Sequence, residues 1–169
     1  MSAATASDIF RLDGKLALVT GASSGLGLHF AHLLARYGAR VAVAARRSER
    51  LAQLVKDIEA GDGKAFAVDL DVTDSGSVKT AFDQIIATAG VPKVIVSNAG
   101  VTITKPLLEQ SEADWDHVLD TNLKGCWLVG TEAARRMVAA GKGGCIVNVA
   151  SIAGERVAGG VAPYAISKV

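Results

Sequence analysis

Leu16-Ala17-Leu18-Val19-Thr20-Gly21-Ala22-Ser23-Ser24-Gly25-Leu26-Gly27 decides how the rest of the chain is read. A short apolar run suited to a buried strand is followed by glycines at Gly21, Gly25 and Gly27, and then by Leu26, Phe30, Leu33, Leu34 and Tyr37 at helical spacing. Strand, glycine-rich turn and helix is the arrangement in which backbone N–H groups and a helix N-terminus meet a phosphate anion. Glycine is required there where the backbone turns sharply, approaches a ligand or packs against the strand. The spacing G-x-x-x-G-x-G is not the commoner G-x-G-x-x-G, and no Lys-Ser/Thr follows as in a P-loop. By itself the turn fits a phosphate cradle and a structural turn equally, so the remainder of the chain must decide.

Downstream, strand-like and helix-like segments alternate. Gly38 closes the first helix, as a glycine just past a helix end does. Arg40 to Ala45 reads as a second strand, Ser48 as the N-cap of a helix carrying Leu51, Leu54, Val55 and Ile58, and Ala65 to Val68 as a third strand. Asp69 to Asp74 is a polar turn before a helix marked by Val78, Phe82, Ile85 and Ala89. Lys93 to Ser97 gives a fourth strand ending at Asn98-Ala99-Gly100, and Cys145 to Val149 a fifth. Glu112 to about Ala139 is mostly helical, with Trp115, Leu119, Val129 and Met137 as expected core contacts. This order implies βαβ units with right-handed crossovers and one parallel sheet. In such sheets ligands bind beyond the carboxyl ends of the strands. Thr20–Gly27, Ala45–Arg47, Asp71–Val72, Asn98–Gly100 and Ser151 all fall at those ends, which points to one nucleotide site.

Composition narrows the alternatives. The 169 residues are 50% hydrophobic with 18 glycines and 3 prolines, as in a globular α/β domain. Lys and Arg number 18 against 17 Asp and Glu, a net charge of +1 that offers no basic field for nucleic acid or an anionic membrane. No apolar run reaches membrane-span length and no signal peptide is visible, so a cytoplasmic protein is expected. Cys126 and Cys145 lie far apart and read as two buried thiols. His29, His32 and His117 read as helix-surface or partly buried residues, and no metal is expected.

Tyr164 and Lys168 stand four apart, and if the segment after Pro163 is helical both lie on one face, about one turn apart. A lysine cation beside a phenol favours the phenolate, and a tyrosine so placed can donate or accept a proton near neutral pH. Ser151, at a strand end upstream, can hold a carbonyl or hydroxyl oxygen.

Taken with Thr20–Gly27, Asp71-Val72, Asn98-Ala99-Gly100, Asn122 and Ser151, the stretch Tyr164-Ala165-Ile166-Ser167-Lys168 resembles the short-chain dehydrogenase/reductase family from Gly14 onward. The resemblance implies a Rossmann-like doubly wound parallel sheet over residues 14–169, preceded by a flexible lead-in over 1–13. It implies hydride transfer between a nicotinamide and a carbonyl/alcohol pair, with 3-oxoacyl compounds one substrate option. Tyr164 would be the general acid/base, Ser151 would bond the reacting oxygen, Lys168 would assist the tyrosine and bind the nicotinamide ribose, and Asn122 would hold a relay water. Gly21, Ser23, Ser24, Gly25, Leu26 and Gly27 would form the pyrophosphate end. Asp71 and Val72 would meet the adenine, and Asn98, Ala99 and Gly100 would support the sheet and a ribose. Ser97 stands where the family usually has Asn, a departure expected to affect packing.

At the end of the second strand, Ala45 replaces the acidic residue that would select NAD, and Arg46 and Arg47 follow. A neutral position followed by guanidinium groups favours NADP(H) over NAD. Arg46 is the expected main contact, and Arg47 can also be read as a solvated start to the next helix. Family members continue past the lysine with at least two more strands and a substrate-covering segment, so the sheet is expected to be C-terminally incomplete in these 169 residues. A homodimer or homotetramer, paired through the helix after Glu112 and the helix at Pro163, is implied. The alternative is a non-catalytic nucleotide-binding fragment or oligomer-forming remnant.

Overall fold

The computed structural model describes residues 8–156 and 158–169. Residues 1–7 of the expected lead-in lie outside that description; within it, the Leu12 N–H donates to the Tyr37 carbonyl at 2.7 Å. Five strands, β1 (Leu16–Thr20), β2 (Arg40–Ala45), β3 (Lys64–Asp69), β4 (Val94–Ser97) and β5 (Cys145–Asn148), pair in parallel in the order β3-β2-β1-β4-β5. The chain moves outward from β1 to β3, then returns to the other side of β1 with β4. That reversal opens a crevice at the carboxyl ends of β1 and β4, where open α/β sheets bind ligands.

Helices α1 (Gly25–Arg36), α2 (Ser48–Ala60), α3 (Ser75–Ala89), α4 (Glu112–Leu119), α5 (Gly125–Ala139) and α6 (Ala162–Ile166) fill the connections. Because side chains alternate along a strand, β1 sends Leu16 and Leu18 to one face and Ala17 and Val19 to the other. The first pair packs with Val78, Phe82 and Ile85 of α3 and Val129, Ala133 and Met137 of α5. The second packs with Ala31 and Ala35 of α1 and Leu51, Leu54 and Ile58 of α2. A sheet apolar on both faces is what parallel strands covered by helices require.

Several expectations need correction. In α1 the buried stripe is Gly27, Ala31 and Ala35, while Leu26 is exposed. Phe30 and Leu34 pack at the edge of the core on this face, half-buried. Ser48 is the first helical residue of α2, and the N-cap is Arg47, with no side-chain cap bond. β3 continues through Asp69 because that residue pairs with Ala45. The segment from Glu112 to Ala139 is helical but passes through a π turn over Asp120–Lys124. Trp115 is 43% exposed and is not a core contact. Cys145 is exposed and Cys126 half-buried, so the thiols are not both buried. Cys145 sits on the edge strand β5, all four residues of which are exposed.

Candidate active site

At the end of β1, Thr20 is fully buried and its hydroxyl organises the neighbouring strand end. It accepts the backbone N–H groups of Asn98 and Ala99 at 3.0 and 3.1 Å. The Asn98 side-chain amide returns a bond to the Thr20 carbonyl at 3.0 Å. These bonds lock the loops after β1 and β4 against one another. Gly21 turns with φ +66°, and a Cβ there would lie 2.8 Å from the Ala99 Cα. A Cβ at Gly27 would collide with the Gly21 carbonyl oxygen and lie 2.6 Å from the Asn98 Nδ2. The cradle is therefore shaped by close backbone approach. At the head of α1 the Ser24 N-cap makes no side-chain bond to the helix. The amides of the first turn have no intrahelical acceptor, which leaves them to an anion.

The cleft beyond these strand ends has a volume of about 410 Å³. It is lined by Gly21, Ser23, Ser24, Gly25 and Leu26, by Ala45, Arg46 and Arg47, by Asp71 and Val72, and by Asn98, Ala99 and Gly100. Four distant pieces of sequence thus meet around one space. Gly27, Tyr164 and Lys168 are not among its walls. Leu70, Thr73, Val101 and Thr121 also line it and were missed from the sequence. Thr73 alone had a signal, since a threonine two residues after an aspartate suits an Asx turn.

Arg47 is exposed but tied to the glycine loop. Its guanidinium donates to the Ser23 Oγ at 3.1 and 2.8 Å and to the Ser24 Oγ at 2.8 Å, so it spans from the start of α2 to the glycine loop. Arg46 is 60% exposed and stands 3.9 Å from the Asp71 Oδ2, too long and too solvated to be a strong tie. The other Asp71 oxygen, Oδ1, accepts the Thr73 N–H at 3.0 Å and the Thr73 hydroxyl at 2.8 Å. The backbone bond from Thr73, aided by its hydroxyl and by Arg46, holds the Asp71 carboxyl below its ordinary range.

On the other side of β4, α6 carries Tyr164, and Lys168 follows in the next turn with its Nζ 5.8 Å from the centre of the Tyr164 ring. The same ammonium donates to the Val149 carbonyl at 2.8 Å. A Cβ at Gly100 would lie 3.7 Å from this Nζ and 3.3 Å from the Asn122 Oδ1. Gly100 therefore joins the cleft to the Tyr164–Lys168 pair. Asn122, in the π turn, is 4% exposed. Its Oδ1 accepts the Val101 N–H at 2.8 Å, and its Nδ2 donates to the Val101 carbonyl and the Ser167 Oγ, both at 2.9 Å. A water at this side chain would find no free amide hydrogen. Ser151 caps a short 3₁₀ turn, its Oγ accepting the Ala153 N–H at 3.2 Å. Among the described residues, no group of three or more His, Cys, Asp or Glu side chains could hold a metal ion. Nor is any helix among them long and apolar enough to cross a membrane.

A clamp holds the segment after β4 against the loop before α6. Lys105 donates to the Asp114 Oδ2 at 2.6 Å, its backbone N–H to the Gly160 carbonyl at 2.9 Å, and Gln110 bonds the Lys105 carbonyl at 2.9 Å. Asp114 also closes a capping box with Ser111. The Lys105 bond first, then the Ser111 N–H and hydroxyl, lowers the Asp114 carboxyl from its ordinary 3.8 to about 2. A carboxyl depressed in the folded state adds stability that is complete above its unfolded pKa and lost as pH falls through the folded one. The gap in Tm between the parent and Asp114→Asn should therefore be widest above about pH 4 and close between about pH 4 and 2. Thermal melts across that range, read by circular dichroism, would measure it.

The chain and its fold match a known family. Residues 15–169 match the family described as short chain dehydrogenase. The chain belongs to the short-chain dehydrogenase family. It is 40% identical over 161 residues to a gluconate 5-dehydrogenase of Gluconobacter oxydans, covering 95% of this chain and 62% of that protein. It is 38% identical over 158 residues to a 3-oxoacyl-(acyl-carrier-protein) reductase of Thermotoga maritima, covering 94% and 64%. A crystal structure of a gluconate 5-dehydrogenase from Burkholderia cenocepacia, in complex with NADP and tartrate, superposes with a TM-score of 0.91 at 35% identity. That comparison covers 97% of this chain and 64% of the other. The chain thus spans less than two thirds of the length of these relatives.

Proposed function

We propose that this chain carries the cofactor-binding and proton-transfer part of an NADP(H)-dependent oxidoreductase that interconverts a carbonyl and an alcohol. The observation that carries the reading is the Lys168 ammonium 5.8 Å from the Tyr164 ring centre, joined through Gly100 to a glycine-lined cleft. Residues that fit a dinucleotide surround the cleft. A cradle that a Cβ would fill suits a pyrophosphate, and Ala45 leaves the end of β2 without the carboxylate that would repel a 2′-phosphate. Arg47, between Ser23 and Ser24, and the exposed Arg46 would hold that phosphate. Asp71 and Val72 would face the adenine, and Asn98, Ala99 and Gly100 the ribose side.

NADPH, when bound, would supply hydride chemistry to a carbonyl held beside Tyr164. Tyr164 gives its phenolic proton to the carbonyl oxygen, and in the reverse direction takes the proton of the alcohol. Ser151 bonds that same oxygen. Lys168, near the ring, stabilises the phenolate left after proton transfer. Asn122 supports this arrangement by holding Val101 and the Tyr164 helix. A homodimer or homotetramer fits the exposure of Trp115, Leu123 and Trp127 along α4, the π turn and α5.

Following NADPH absorbance with a panel related to gluconate, D-threitol, cyclopentanol and a 3-oxoacyl thioester tests the reading. Oxidation or reduction of at least one is expected. NADPH binding with no turnover on any would replace the enzyme by a nucleotide-binding module. For cofactor choice, Arg47→Leu should raise the Kd for NADPH about ten-fold or more, the worth of one charge-assisted contact. Its Kd for NADH should stay near that of the parent. Fluorescence titration of both cofactors reads this, and an equal loss for each would show that Arg47 serves the loop and not the phosphate.

A further inference from the structure

Ser167 stands between Lys168 and the helix that carries Tyr164, and neither the proton-transfer scheme nor the cleft uses it. It is 6% exposed. Its hydroxyl donates to the Tyr164 carbonyl at 2.7 Å and accepts the Asn122 Nδ2–H at 2.9 Å. Asn122 in turn holds both backbone groups of Val101, just beyond β4. One hydroxyl therefore connects the peptide of Tyr164 to the π turn and, through it, to the central sheet. α6 is only five residues long, Ala162–Ile166, so its own hydrogen bonds do not fix its position. Lys168 is anchored separately, to the Val149 carbonyl.

We propose that Ser167 is a positioning residue, setting where the Tyr164 phenol stands by tying its helix to Asn122. The proposal rests on the reading of Tyr164 as the proton donor. Removing the hydroxyl leaves one Asn122 N–H without an acceptor at a buried position, and releases the Tyr164 carbonyl. Such a group must find a new partner, because leaving it unpaired is costly. Asn122 or α6 then shifts. A shift of about 1 Å at a reacting group can cost on the order of 100-fold in rate.

The test is Ser167→Ala in the whole protein, with two readouts. The 169 residues hold two tyrosines, Tyr37 and Tyr164, and the signals lost in Tyr37→Phe and in Tyr164→Phe controls assign their ring resonances in ¹³C-tyrosine NMR. The Tyr164 ring signals should move well beyond their linewidth in Ser167→Ala, while those of Tyr37 stay in place. On the substrate found by the panel, kcat should fall by about 10- to 100-fold with the Kd for NADPH unchanged. A purely structural role would lower Tm and leave the Tyr164 signals and kcat of the folded protein as they were, which overturns the proposal. If the parent turns over no substrate, the oxidoreductase reading fails, and the NMR comparison still decides the role of Ser167. Should Ser167→Ala not fold, Ser167→Cys, close in shape and weaker in hydrogen bonding, is judged by the same signals.

Discussion

Tyr164→Phe is expected to lower kcat by about 1,000-fold, within the range contributed by a positioned general acid or base. Phe keeps the ring beside the Lys168 ammonium, which lies 5.8 Å from its centre, and removes only the oxygen that carries the proton. The Kd for NADPH should therefore remain within about two-fold, because the glycine cradle and Arg47 are untouched. The separation of these two numbers gives the experiment its force. A parallel loss of binding would mean that the tyrosine holds ligand, and full retention of kcat would remove it from the chemistry. Stopped-flow NADPH absorbance for kcat and fluorescence titration for Kd provide the two readings.

Gly27→Ala should have the largest effect on the fold of the cradle. The added Cβ would collide with the Gly21 carbonyl oxygen and lie 2.6 Å from the Asn98 Nδ2 and 2.8 Å from the Gly21 carbonyl carbon. Two of these are backbone atoms, which cannot swing aside as a flexible side chain would. Overpacking of this kind costs about 1–3 kcal/mol, or a fall in Tm of roughly 2–10 °C in a domain of this size. Because the collision pushes α1 from the loop, NADPH affinity should fall as well. Gly25→Ala separates contact from conformation. It has φ +58° but nothing within 4 Å of a Cβ. Its cost is confined to the left-handed backbone, about 1 kcal/mol. Equal effects at the two positions would show that backbone conformation and not contact sets the limit.

Much of this was legible in the chain because parallel strands covered on both faces leave strong signals. Arg40 to Ala45 was bounded to the residue, since a continuous apolar run between turn residues has few other readings. Trp115 was misjudged because helical spacing says which residues share a face, but not whether another element covers that face. The buried stripe of α1, Gly27, Ala31 and Ala35, was not legible because small residues carry little hydrophobic signal. The π turn at Asp120–Lys124 has no sequence mark, and with it went the burial of Asn122.

The sequence by itself determined the class of fold, through the alternation of strands and helices along the chain, and the spacings of Gly21, Gly25 and Gly27 and of Tyr164 and Lys168, which are local. It also determined that the end of β2 is neutral and followed by two arginines. Only the tertiary structure decided which arginine turns to the loop. Arg47 reaches Ser23 and Ser24 across 24 and 23 residues of chain, and Arg46 faces Asp71 instead. Likewise, only the fold showed that Asn122 is spent on Val101 and Ser167, 21 and 45 residues away. Such partners are chosen by which strand ends the sheet order brings side by side, and that order is a property of packing across the whole chain.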